Sequence, residues 1–166
     1  MIRSVVLFAH VIGILVLFIG MAFEWLSLES LRRATSSEEA SPWVRLQEKL
    51  PRVYGIAFVT LLVSGMYLAR RVGVFEFAWV RLGLGLLVLM GLLGARGFRR
   101  RASHAWLRAS LSMRAAMGLA AVYLMIDKPL LGTALVVTGV ALAVGLMISL
   151  LSRAPHRRPS ARASFS

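Results

Sequence analysis

Residues Arg114–Leu151 read RAAMGLAAVYLMIDKPLLGTALVVTGVALAVGLMISLL. Two apolar runs, Ala115–Ile126 and Leu130–Leu151, are separated only by Asp127, Lys128 and Pro129, residues that a spanning helix places at its end. If the first run crosses a bilayer, Asp-Lys-Pro is a tight turn between two membrane helices. If it lies on the surface, the chain has four crossings instead of five and its C-terminus changes sides. No other choice in the sequence relocates so many residues.

Working outward, the composition is that of a membrane protein. Of the 166 residues 58% are hydrophobic, and the mean hydropathy is +0.76, well above the average for soluble domains. The apolar residues come in near-continuous blocks, of the length that crosses roughly 30 Å of hydrocarbon. No block of sequence is left for a separate soluble domain. The net charge of +13 comes almost entirely from arginine. These cations flank apolar blocks and lack interleaved aromatics on a polar face, which argues against nucleic acid and for anionic lipid headgroups as their partner. The absence of cysteine removes disulfides, thiolate metal sites and thiol catalysis.

The expected fold is an all-α integral membrane helical bundle of five transmembrane helices, at about 4–28, 53–69, 77–95, 109–126 and 130–151. The first block competes with a cleaved signal peptide, since Arg3 precedes it and Gly20-Met21-Ala22 has small-x-small character. Its apolar core exceeds the roughly 7 to 15 residues of a signal peptide, so a retained helix is expected. Between the first two spans, Ser41 and Pro42 have N-cap and N1 character, and Trp43, Leu46 and Leu50 repeat at helical spacing. A short interfacial helix is expected at 42–50. Residues 153–166, rich in Arg, Ser and Pro, are expected to form a disordered basic tail.

Five crossings place fifteen cations on one side and leave five (Arg3, Arg70, Arg71, Arg81 and Lys128) opposite, whereas four crossings give twelve against eight. The positive-inside rule prefers the sharper split. The expectation is therefore a bacterial inner membrane protein with its N-terminus outside and its C-terminus in the cytoplasm. Arg99, Arg100, Arg101, Arg157 and Arg158 are then the expected headgroup contacts. Arg114 falls near the cytoplasmic end of a short fourth helix, and Arg81 acts as an interfacial anchor.

Within the bilayer, polar side chains are costly and mark packing or function. At about 100° per residue, His10, Gly13, Leu17, Gly20, Met21 and Glu24 share one arc of the first helix, which should face the other helices. Gly13, Gly20, Gly91 and Gly139 are the candidate helix-packing positions. His10 is either a packing residue bonded to a neighbouring carbonyl or hydroxyl, or a cofactor ligand. For a bis-histidine haem, His104 would lie across the membrane, leaving single-histidine ligation or a methionine as second ligand. Met66, Met90, Met117, Met125 and Met147, scattered over four helices, read as gap-filling core residues. No metal site is indicated.

The fragments AHVIGILVLFIGMAF (9–23), LLVSGMYLA (61–69), AWVRLGLGLL (78–87) and YLMIDKP (123–129) resemble small bacterial membrane proteins of the copper-resistance protein D type and the membrane protoporphyrinogen oxidase J type, over roughly residues 4–129. The resemblance to the oxidase type implies haem b, a functional histidine in the first helix and a functional lysine opening the third span. His10 matches the first. Arg81 stands where the lysine would be and cannot serve as a base, and a fifth span exceeds the four typical of the group. The resulting expectation is an accessory, assembly or binding protein without a recognisable catalytic centre and with no required cofactor. It would sit beside a membrane partner or a second copy. The alternative is a haem-b-binding oxidoreductase using His10.

The charge split generates a topology test, made simple by the cysteine-free chain. Single cysteines at Ser37, Ser103 and Ser160 should be protected from an impermeant thiol reagent in intact cells, and one at Val74 should be labelled. Labelling at Ser160 with protection at Val74 would reject the five-crossing arrangement.

Overall fold

The computed structural model describes residues 1–99 and 104–151. They form five helices: α1 (Ile2–Arg33), α2 (Ser37–Val72), α3 (Ala78–Arg99), α4 (His104–Asp127) and α5 (Leu131–Leu151), with a 3-10 turn at Val74–Glu76 between α2 and α3. Each α-helix is long and apolar enough to cross a membrane. The protein is a multi-pass all-α membrane bundle.

The stretch from Arg114 to Leu151 is a helical hairpin. Lys128 adopts a left-handed backbone (φ 48°), and its N–H reaches the carbonyl of Leu124 at 3.2 Å, closing α4. Pro129 follows, and α5 takes over at Leu131. The fourth helix is longer than the apolar run suggests, because it begins at His104. Arg114 is therefore almost three turns inside α4 and not near its end, which makes its partner a structural question.

The connection between the first two spans is organised differently from expectation. No separate interfacial helix forms at 42–50: these residues belong to α2, which runs unbroken through Pro42 and Pro51. Its start is set five residues earlier than Ser41, at Ser36, whose hydroxyl accepts from the Glu39 N–H at 3.3 Å. The Glu39 carboxylate reaches back to the Thr35 N–H at 3.0 Å and the Thr35 hydroxyl at 3.2 Å, a capping box shifted by one residue. Pro51 lacks an N–H, so the Gln47 carbonyl loses its helical donor, yet the turns on either side hold. At its far end α2 stops at Gly73, left-handed at φ 70°, a conformation in which glycine is the least strained residue.

α1 packs along α2, and α4 lies between α3 and α5. The two groups meet at two junctions of similar extent, α1 against α4 and α2 against α3. The core draws Leu17, Met21 and Leu28 from α1, Ala57 and Leu61 from α2, and Leu86 and Met90 from α3. Met117 and Leu124 of α4 complete its centre, with no exposed surface. Outward faces are apolar as well, as at Ile56, Val63, Val136 and Leu150, the arrangement required when the solvent is hydrocarbon.

Close helix approach depends on specific glycines. A Cβ at Gly13 would stand 3.0 Å from Leu61 Cγ, one at Gly20 2.9 Å from Tyr54 Cε1, and one at Gly91 2.7 Å from Phe58 Cε2. Gly139 differs from its expected packing role: a Cβ there meets nothing within 4 Å, and the residue is exposed on α5. The close contact of α5 is instead Gly145, where a Cβ would lie 3.2 Å from the Met113 backbone and 3.2 Å from Ala116 Cβ. Backbone cannot yield as a flexible side chain does. Gly145→Leu should lower unfolding stability in detergent by about 1–3 kcal/mol, the usual cost of overpacking, whereas Gly139→Leu should leave the thermal midpoint unchanged or slightly raised.

Candidate functional site

Two polar features are buried in the bundle, at opposite ends. The first is built on His10. One turn of α2 below Ser64, the Thr60 carbonyl accepts the Ser64 hydroxyl proton, leaving the Ser64 oxygen to accept from His10 Nδ1 at 2.8 Å. Nδ1 is then the protonated nitrogen, and Nε2 carries the lone pair. Gly65 makes room for the ring, since a Cβ there would approach His10 Cε1 to 3.2 Å. His10 is buried but not enclosed by protein alone: it lines a cavity of about 390 Å³.

That cavity lies between the α1–α2 pair and the α3–α4 pair. Its wall is aliphatic and aromatic, with Ile14, Leu17 and Phe18 from α1, Leu61 and Gly65 from α2, Trp79 and Leu87 from α3, and Ala121 of α4 among its residues. Four of the methionines that are scattered in sequence, Met66, Met90, Met117 and Met125, come together on it. Gly83 is the most telling position. It is buried and lines the cavity, yet a Cβ built on it meets nothing within 4 Å: it is covered by the fold and faces open space. At the rim stand two cations, Arg3 in the first turn of α1 and Lys128 in the α4–α5 turn.

The second feature lies toward the other end of α1. Glu24 and Arg114 form an ion pair at 2.6 Å, with both side chains only 5% exposed. The second carboxylate oxygen of Glu24 accepts from the Tyr54 hydroxyl at 2.6 Å. The Arg114 guanidinium sits 5.4 Å from the centre of the Tyr54 ring, and its Nε donates to the Ser110 carbonyl at 3.4 Å. Three helices thus share one charge cluster. Farther out, Glu29 accepts from Arg32, Arg33 and Arg108, and Arg108 lies over Trp25 at 5.3 Å.

The structure places the other sequence candidates as follows. His10, Gly13, Leu17, Gly20, Met21 and Glu24 are all buried on α1. Arg81 donates to the backbone carbonyls of Phe75 and Glu76, tying down the α2–α3 connection as an exposed side chain. Arg100, Arg101, Arg157, Arg158 and the whole basic tail lie outside the described residues, as do the side chains of Arg99 and His104. Among the described residues no group of three or more His, Asp or Glu could hold a metal ion. Sequence reading missed the Glu24–Tyr54–Arg114 cluster. The available signal was that a carboxylate on the buried arc of one helix and an arginine inside another each require a partner.

Comparison of the chain with protein-family models, with curated proteins and with solved structures finds no match.

Because the pair is desolvated on both sides, removing one partner strands the other. Arg114→Leu and Glu24→Leu should each lower stability by about 3–5 kcal/mol, while the double substitution Glu24→Leu/Arg114→Leu should recover most of that loss. Thermal unfolding of the four proteins in one detergent checks this, and additive single effects would contradict the pairing.

Proposed function

We propose that this multi-pass membrane protein is a non-enzymatic binding or accessory protein that holds an apolar molecule in the cavity beside His10. The observation that carries the reading is the wall itself: about 390 Å³ of space, within the range of ligand pockets, bounded almost wholly by apolar side chains and containing a buried glycine that faces no neighbour. Structural packing alone would have filled the space beside Gly83, since interiors are close-packed and each lost contact forfeits dispersion energy. The fifteen-to-five split of cations supports a bacterial inner membrane location, with the cavity end and the N-terminus outside and the arginine-rich loop and C-terminus in the cytoplasm against anionic headgroups. The apolar outer faces of α5 leave area for a membrane partner or a second copy.

The second reading is a haem-b-binding oxidoreductase of the type that the fragments around His10 resemble. It is favoured by one observation: the unprotonated nitrogen of His10 belongs to a ring that lines an apolar cavity together with Met90 and Met117. His10 and one of these thioethers would be the residues to hold such a group. Haem in the site would supply one-electron chemistry, and the chain's own contribution would be the fixed imidazole, held by Ser64, and a wall that excludes water.

One preparation separates the readings. Protein purified from haem-replete cells should be colourless and should release an apolar small molecule on organic extraction. Gly83→Phe, whose Cβ meets no neighbour within 4 Å and whose ring would occupy the open space, should release much less while keeping its thermal midpoint. A Soret band abolished by His10→Ala would replace the binding reading with the haem reading.

A further inference from the structure

We propose that the cavity's occupant is an anionic phospholipid of the surrounding bilayer, with an acyl chain between the helices and its phosphate held between Arg3 and Lys128. The inference rests on the binding reading given above and adds the chemistry of the ligand. Its basis is the division of the site into an apolar interior and a cationic rim.

The rim cations come from separate elements. Arg3 belongs to the first turn of α1, Lys128 to the turn after α4, and both line the same cavity while staying exposed. Neither forms a salt bridge among the described residues, whereas Arg32, Arg33, Arg108 and Arg114 all do. Asp127, next to Lys128 in sequence, accepts from the Tyr123 hydroxyl at 2.9 Å and makes no salt bridge with Lys128 among the described residues. Two unpaired cations at the mouth of an apolar space are complementary to a molecule with an anionic head and a hydrocarbon body.

Depth selects the class of molecule. The rim is built from the beginning of α1, the end of α2 and the end of α4, all at one end of apolar helices, which is the level at which headgroups lie. A free phosphate would find the cations but gain nothing from the aliphatic wall. A zwitterionic lipid would fill the interior but bring its own cation to the rim. Cations near the surface are each worth about 1 kcal/mol toward anionic lipid, so two of them together confer roughly tenfold or greater selectivity.

The test uses the full chain, stripped of lipid in detergent, with phosphatidylglycerol, phosphatidylcholine, oleate and inorganic phosphate as probes. Native mass spectrometry and the thermal midpoint are the readouts. Phosphatidylglycerol should be retained and raise the midpoint. Phosphatidylcholine should bind about tenfold more weakly, and inorganic phosphate should do nothing. Arg3→Gln/Lys128→Gln should bind the two phospholipids equally, and Gly83→Phe should bind neither. Equal binding of the two phospholipids by the unaltered chain overturns the headgroup assignment, and if Gly83→Phe still abolishes both, the binding reading stands. Oleate bound as tightly as phosphatidylglycerol overturns the phosphate assignment. Undiminished retention of phosphatidylglycerol by Gly83→Phe overturns the proposal and the cavity reading together.

Discussion

A carboxylate buried between membrane helices cannot be left alone, and the fold follows from how this chain answers that constraint. Glu24 and Arg114 are each almost inaccessible, in surroundings where an uncompensated charge costs several kcal/mol. The arginine fills one oxygen of the carboxylate and Tyr54 fills the other, so the cluster ties α1 to both α4 and α2. A pair of this kind adds little net stability compared with well-packed aliphatic residues. Its effect is on specificity, because any rotation or slide of α1 would separate the charges. With Glu24 fixed, every residue on its arc is fixed too: Gly20 is set against Tyr54, Gly13 against Leu61, and His10 against Ser64.

The constraint acts at one end only. From Glu24 outward to Glu29 the helices are joined by ion pairs and by arginines lying over aromatic rings. From Leu17 back toward Arg3 they are joined by aliphatic contacts and the His10–Ser64 hydrogen bond, and part around a cavity. A bundle locked at one end and lightly packed at the other can receive a ligand by shifting side chains such as Met66 and Met125, both substantially exposed, without separating a buried charge. The flexible thioether suits that task, since it adapts to irregular space at little cost.

How much of this was legible in the sequence depends on the range of the signal. The five long helices were, because apolar block length is read within each block, and so was the arc of α1 from His10 to Glu24, because helical spacing is local. Ser41 reads as the start of a separate short helix and residue 53 as the start of the second span, although Ser36 and Glu39 carry a capping box, because Pro42 imitates an N1 residue and Pro51 imitates a break. Tertiary packing carries the helix through both. Pairings across the bundle were not legible: Glu24 and Arg114 are 90 residues apart, and the four methionines of the cavity meet only after α1–α2 is laid against α3–α4. Glycines show the limit most plainly. Gly20, Gly83 and Gly139 look alike in an apolar run, yet the first is pressed against an aromatic ring, the second is buried beside a void, and the third has open space around it on the bundle surface.

The void beside Gly83 has a meaning in a bilayer that it would lack in water. In water, an apolar cleft is closed by the hydrophobic effect, which drives its walls together. Between membrane helices that force is absent, because lipid tails are as apolar as the walls, and association rests on close contact alone. A cleft there is kept open wherever the residues that would close it are missing, as at Gly83. Such a space loses dispersion contacts along its whole wall unless hydrocarbon occupies it, and the surrounding bilayer supplies hydrocarbon at high concentration. On the proposed lipid occupancy, what the chain would add is selection among lipids, and only groups at the rim could select, since one acyl chain resembles another. Arg3 and Lys128 are the charged groups that the fold places there.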